Sequence, residues 1–179
     1  IGVELGQAFQ RLGAQVTIVE AARLLGAADA EAAELVRQRL LAEGVILHEG
    51  VKAQSVSARD AGVALTLDNG VSVEGSHLLV ATGRKPNLED LNLDAAQIAF
   101  DKTRIITSPT LRSTTNPRVW ALGDAAGGGF THTAGWHASV WGRNVLFKAR
   151  TSADAQAMPA VVYCDPELAQ IAPTETQAR

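Results

Sequence analysis

Val119-Trp120-Ala121-Leu122-Gly123-Asp124 (V-W-A-L-G-D) reads as an apolar β-strand that runs into a glycine and stops on an acid. In an open nucleotide-binding sheet, ligands sit in the crevice outside the carboxyl ends of the strands. Gly123 lets the backbone approach a ligand closely, and the Asp124 carboxylate can accept hydrogen bonds from sugar-type hydroxyls. Glycine followed by aspartate also opens ordinary turns, so the stretch gains meaning from its company. That company is A-T-G-R-K-P-N at 81–87 and Y-C-D-P-E-L-A at 163–169.

Moving toward the start of the chain, Ile1, Leu5, Phe9 and Leu12 recur at helical spacing, with Gly13 as a C-terminal stop. Gly2 and Gly6 lie four apart and can share one bare face where a helix packs close to a sheet. Val16 to Glu20 reads as a short buried strand. Asp29 and Glu31 place acids at the start of a second helix carrying Ala32, Val36 and Leu40 on one face and ending at Gly44. After Val45 to His48 the pattern turns to alternation: Val63, Leu65 and Leu67 face one way, Asp68-Asn69-Gly70 makes a tight turn, and Val71 and Val73 return. Leu78 to Ala81 reads as another buried strand. This predicts a βαβ unit with an inserted antiparallel meander. Further on, Arg118 to Leu122 is expected to be a strand, Phe130 to Lys148 a helix introduced by glycines, Thr151 to Met158 a polar linker and Ala160 to Tyr163 a strand.

Composition narrows the function classes. Of 179 residues, 46% are hydrophobic and 20% charged, with a net charge of -3, which is ordinary for a globular protein with a sizeable core. No basic surface advertises nucleic acid, and no apolar run approaches the roughly 18 residues of a transmembrane helix. The single cysteine, Cys164, excludes an internal disulfide and fits a reducing cytoplasm. His48, His77 and His137 have no carboxylate or second histidine at a metal-ligand spacing, so no metal site is expected. His137, inside an apolar helix, is expected to be a packing or surface residue, as are Trp136 and Trp141.

In order and spacing the three quoted stretches resemble the pyridine nucleotide–disulfide oxidoreductases, the flavoprotein family that includes dihydrolipoamide dehydrogenase, glutathione reductase and mercuric reductase. The resemblance spans essentially the whole chain. It implies an α/β fold: a Rossmann-like NAD-binding domain with an inserted meander at 1–83, the returning part of an FAD-binding domain at 84–150, and a linker with the start of an α+β dimer-interface domain at 151–179. I-G-V-E-L-G-Q-A-F resembles a segment that follows two earlier glycines of the G-x-G-x-x-G fingerprint, and T-E-T-Q-A-R the opening of the interface domain. The expectation is therefore an internal fragment, inactive alone, of an FAD-dependent enzyme.

The resemblance also assigns residues. Gly2, as the third fingerprint glycine, permits close packing and lets a pyrophosphate approach the helix N-terminus. Glu4 corresponds to an acid near the nicotinamide and flavin, although an acid in a first helical turn often only complements the dipole. Glu20, 18 positions after Gly2, is placed to bind the adenosine ribose of NAD and to repel the extra phosphate of NADP; the alternative is an exposed acid ending a strand. Gly83 would pack against the dinucleotide, and Arg84 could neutralise a pyrophosphate or form a surface salt bridge. Asp124 would bind the ribitol of FAD. Thr131 and His132, at the start of the helix, would touch the flavin N1–O2 edge, or Thr131 would only cap the helix.

NADH is expected over NADPH, a homodimer is expected for the longer protein, and its substrate is a small molecule or metal ion. No residue here is assigned a catalytic role, because the redox C-x-x-x-x-C pair and the acid–base His-Glu pair of such enzymes are not among these residues. Where relatives read V-G-x-T-E, this chain has Ile171-Ala172-Pro173-Thr174-Glu175. Competing readings are an NADH oxidase or ferredoxin-reductase-type flavoprotein without a redox disulfide, and a non-catalytic dinucleotide-binding module.

Overall fold

The computed structural model describes residues 1–153, 158–171 and 173–178. They form two compact units, 1–82 with 159–179 and 83–158. The first begins with helix α1 (Gly2–Arg11), strand β1 (Thr17–Glu20), helix α2 (Ala30–Ala42) and strand β2 (Ile46–Glu49). β1 and β2 pair in parallel, Thr17 opposite Ile46 through Glu20 opposite Glu49, so α2 is the crossover of a βαβ unit. Asp29 caps α2, its carboxylate accepting the Glu31 amide hydrogen at 3.2 Å. α1 closes on Gly13 at φ +97, where Gly13 N–H reaches Gln10 O and Ala14 N–H reaches Phe9 O, satisfying carbonyls the helix leaves open.

An antiparallel meander follows: β3 (Ala53–Arg59), β4 (Gly62–Leu67) and β5 (Ser72–Gly75), with β4 central. Ala64, Leu65 and Leu67 bury its middle strand, while β3 is exposed along its length. The chain returns to this unit as β6 (Ala160–Val162), antiparallel to β7 (Leu168–Gln170), before a single helical turn. Leu168 enters the core of Val3, Leu24, Val36, Leu40 and Val45. Leu40 and Val36 are almost fully enclosed, each contributing roughly 1.5–3 kcal/mol by leaving water.

Polar contacts fix that return. Gln7, buried on α1, donates to Asp165 O at 2.7 Å and accepts the Asp165 amide hydrogen at 2.8 Å. Arg11 grips the Glu43 carboxylate with two nitrogens, at 3.0 and 2.5 Å, and reaches Asp165 Oδ2 at 2.7 Å.

The second unit is mostly irregular, with a core of Leu93, Ile98, Ile105 and Ala121. Its regular parts are one 3-10 turn (Gly123–Ala126) and helix α3 (Thr131–Leu146).

Three expectations need correction. Residues 78–81 make no strand: Leu78, Leu79 and Val80 are exposed, because the parallel sheet is two-stranded and no described segment offers them a ladder. Residues 118–122 form one antiparallel bridge, Trp120 to Arg112, with the Ser113 and Ala121 amides bonding Val119 O and Leu111 O, rather than a strand. The apolar face of α1 is not its buried face. Leu5, Phe9 and Leu12 are exposed and Val3, Gly6 and Gln7 are inside, because Gly6 lets Ile18 of β1 approach to where a side chain would stand. The expected linker at 151–158 falls partly on residues 154–157, which lie outside the described residues.

The Glu43 network sets an acid limb. Hydrogen bonds from Arg11 and then Arg39 hold the Glu43 carboxyl at about 2, below its ordinary 4.5. A depressed folded value stabilises the fold above about 4.5, and that contribution fades as pH falls toward 2. Glu43→Gln should therefore be less stable than wild type at neutral pH, with the gap closing between pH 4.5 and 2. Urea unfolding at several pH values checks this, and a gap independent of pH would remove the role.

Candidate functional site

In the second unit, an open cleft of about 410 Å³ is lined by Arg84, Lys85, Lys102, Arg104, Asp124 and Gly129, among others. Four cations and two acids line one space, Asp101 held by Thr103 and the Arg104 amide and Asp124 unshielded. The Asp124 carboxylate lies in the first turn of the 3-10 helix and has no hydrogen-bond partner among the described residues, while its backbone oxygen accepts the Gly127 amide hydrogen at 2.9 Å. It is exposed to the cleft rather than buried at a strand end, as the sequence suggested.

Two glycines there leave no room for a side chain. Gly123 is buried at φ +57, and a Cβ on it would stand 3.0 Å from Ala134 Cβ of α3. A Cβ on Gly128 would stand 2.9 Å from Gly123 O and 3.0 Å from Thr133 Cγ2. The Gly128 amide instead donates to Gly123 O at 2.8 Å. The turn and α3 thus sit backbone to backbone.

α3 begins after Phe130 with no side chain capping it, so Thr131 is its first helical residue and not its cap. Its amide end carries the positive end of the helix dipole. Phe130 stacks on His132 with centroids 5.3 Å apart and 15° between planes. The Arg84 guanidinium lies over the Phe130 ring, 5.9 Å from its centroid, and donates to Gly129 O. Arg84 thus braces the entry to α3 while lining the cleft, and it makes no ion pair among the described residues.

His137, expected to be a packing or surface residue, is packed inside at 5% exposure. Its Nδ1 also accepts the Gly123 amide hydrogen at 3.0 Å, tying α3 to the turn before Asp124. An acceptor at Nδ1 puts the proton of the neutral ring on Nε2, and burial pushes its proton affinity below the ordinary value. The only sequence signal was its place with Thr133 and Val140 on one helical face.

The first unit holds the remaining expected residues. Gly2 opens α1, and a Cβ there would stand 3.3 Å from Ala81 Cβ. Glu4 follows in the first turn, where Oε1 accepts the Tyr163 amide hydrogen at 2.9 Å. Glu20 ends β1, and Oε1 accepts the Ala22 amide hydrogen at 2.9 Å. Its register partner Glu49 ends β2 and is committed elsewhere, to Arg37 Nε at 2.5 Å and the Leu24 amide at 2.9 Å, which hold its carboxyl below the usual range. Gly83, the first residue of the second unit, has φ +123 and open space where a side chain would project. No helix among the described residues is long and apolar enough to cross a membrane, and no three metal-capable side chains cluster there.

A sequence profile described as pyridine nucleotide-disulphide oxidoreductase matches residues 1–141. The mercuric reductase of Staphylococcus aureus is 33% identical over 184 residues, covering all of this chain and 34% of that protein. A dihydrolipoyl dehydrogenase of Thermus scotoductus is 36% identical over 191 residues, covering all of this chain and 40% of that protein. The HOCl-induced flavoprotein disulfide reductase RclA from Escherichia coli superposes with a TM-score of 0.89 at 28% identity, over 99% of this chain and 41% of that one. The chain therefore spans about a third to two fifths of the length of these relatives.

The close backbone packing is directly testable. Gly128→Ala forces a methyl against the Gly123 carbonyl and should cost about 1–3 kcal/mol. Gly142→Ala, inside α3 with nothing within 4 Å of the new Cβ, should instead stabilise by about 0.5–1 kcal/mol. Thermal melts of the two variants should move in opposite directions, and a neutral Gly128→Ala would refute the packing.

Proposed function

Since the chain belongs to the pyridine nucleotide-disulphide oxidoreductases, we propose that it is the nucleotide-handling part of an FAD-dependent enzyme that oxidises NADH and reduces a disulfide or metal-type acceptor. In this proposal residues 1–83 are the NAD(H)-binding domain, 84–150 the returning part of the FAD domain, and 151–179 a linker and the start of a dimerisation domain. The longer protein is a cytoplasmic homodimer. When bound, FAD supplies the two-electron chemistry between NADH and acceptor.

The cleft of the second unit is the observation that most supports this. A polyhydroxyl chain needs an acceptor, and the Asp124 carboxylate is free to accept. A pyrophosphate needs positive charge, and Arg84, Lys85, Lys102 and Arg104 line the same space. Gly129 lines the cleft with open space where a side chain would project, so a ligand could lie against its backbone. The residues fit a flavin dinucleotide better than an uncharged metabolite. Thr131 and His132 begin α3, and this reading sets them beside the flavin ring, where the positive end of the helix dipole would favour negative charge.

In the first unit, Gly2 and Glu20 suit a dinucleotide, Gly2 by its close approach and Glu20 by its oxygens at a parallel strand end. Glu4 and Gly83 take their cofactor roles from the family resemblance. Cys164 is the chain's sole cysteine, so a redox-active cysteine pair cannot form within these residues and the chain alone drives no disulfide reduction.

Asp124→Ala in the flavoprotein should raise the FAD dissociation constant by about 10- to 100-fold, the worth of charged hydrogen bonds to hydroxyls, while NADH affinity barely moves. Flavin fluorescence on refolded apoprotein measures it. Wild-type FAD affinity in the folded variant would defeat the assignment.

Glu20→Arg should narrow or invert a preference for NADH over NADPH of about 10- to 100-fold. Steady-state kinetics with the two cofactors decide this, and an unchanged ratio excludes Glu20 from the ribose site.

A further inference from the structure

We propose that His137 is a positioning residue for Asp124: by accepting the Gly123 amide hydrogen, it sets the turn that aims the Asp124 carboxylate at the flavin's hydroxyl chain. The inference rests on the flavin reading of the cleft.

The Asp124 side chain has no described partner to orient it, so its direction follows from the backbone that carries it. That backbone is held on both sides of Gly123. The Gly123 carbonyl accepts from Gly128 at 2.8 Å, and the Gly123 amide donates to His137 Nδ1 at 3.0 Å. No side chain at Leu122 caps the 3-10 turn, so His137, reaching in from α3, does the capping. Gly123 is in the left-handed region at φ +57 and is buried. A buried amide in that conformation needs an acceptor from outside its own turn.

Imidazole suits the task because its Nδ1 lone pair lies rigidly in the ring plane, with two side-chain torsions to set. At 5% exposure the ring is shielded from water, and burial favours the neutral form that keeps this lone pair free. The role differs from packing. An apolar side chain of similar size would fill the space between α3 and the turn but leave the Gly123 amide without a partner.

The test is flavin affinity in the flavoprotein, read by fluorescence on apoprotein, with NADH affinity as control. His137→Leu should raise the FAD dissociation constant about 5- to 20-fold and leave NADH binding unchanged. His137→Asn, whose Oδ1 occupies the place of Nδ1, should return it to within about 3-fold of wild type. In an Asp124→Ala background, His137→Leu should add almost nothing, because both act through one carboxylate. Where His137→Leu does not fold, His137→Gln, with its acceptor one bond too far, replaces it and should weaken FAD while His137→Asn does not. Additive losses, or failure of Asn to rescue, would overturn the proposal. If Asp124→Ala itself leaves FAD affinity intact, the flavin reading falls instead, and the two failures are told apart by that single variant.

Discussion

One ion-pair network around the Glu43 carboxylate joins three stretches of the chain. Arg11 brings α1, Arg39 brings the last turn of α2, and Arg11 in turn holds Asp165 of the returning strand pair. Isolated surface ion pairs contribute little. This one is different in kind, because Arg11 approaches bidentately and Glu43 is only 14% exposed. Gln10 adds a hydrogen bond to Glu43 O at 2.9 Å and accepts the Val16 amide hydrogen at 3.0 Å. The helix that begins at Gly2 and the strand that ends at Glu20 are thereby fixed to one anchor. Residues 159–170 join the same core through it, with Leu168 as their apolar counterpart.

How much of this the sequence could reveal depends on where the energy comes from. Elements whose period, caps and stops are local were legible: α2 with Asp29 and Gly44, the Asp68-Asn69-Gly70 turn, α3 after its glycines. Strands are not local. Residues 78–81 and 118–122 have the apolar, β-branched character of buried strands, but a strand exists only where a neighbour supplies its ladder. The face of α1 failed for a related reason. Leu5 and Phe9 outweigh Val3 and Gly6 in hydrophobicity, yet packing against β1 rewards the small residue that permits close approach.

The candidate site divides in the same way. Asp124, Arg84 and the glycines were marked by their residue types and order, and Arg84 and Asp124 do line one cleft. What sequence could not supply was each side chain's partner. Arg84 is engaged by Gly129 O and the Phe130 ring, and His137 by an amide 14 positions away. A histidine on an apolar helical face carries no mark of which backbone group it meets. Only the left-handed turn at Gly123, itself a tertiary outcome, creates the orphan donor.

Glu20 and Glu49 show how one chain can separate building charges from binding charges. They stand side by side at the carboxyl ends of a parallel pair, where two free carboxylates would repel. The fold commits Glu49 to a guanidinium and an amide hydrogen, so its charge is spent inside the structure. Glu20 receives one amide hydrogen from Ala22, which orients the group without cancelling its charge. Arg37 pairs with Glu49 and with Glu34 of its own helix. A ligand presenting hydroxyl donors would find an oriented acceptor at Glu20, and one presenting a phosphate there would meet a charge with no ion-pair partner among the described residues. Under the proposed reading, discrimination against the extra phosphate thus rests on Glu20, while Glu49 beside it is held by Arg37 and the Leu24 amide within the fold.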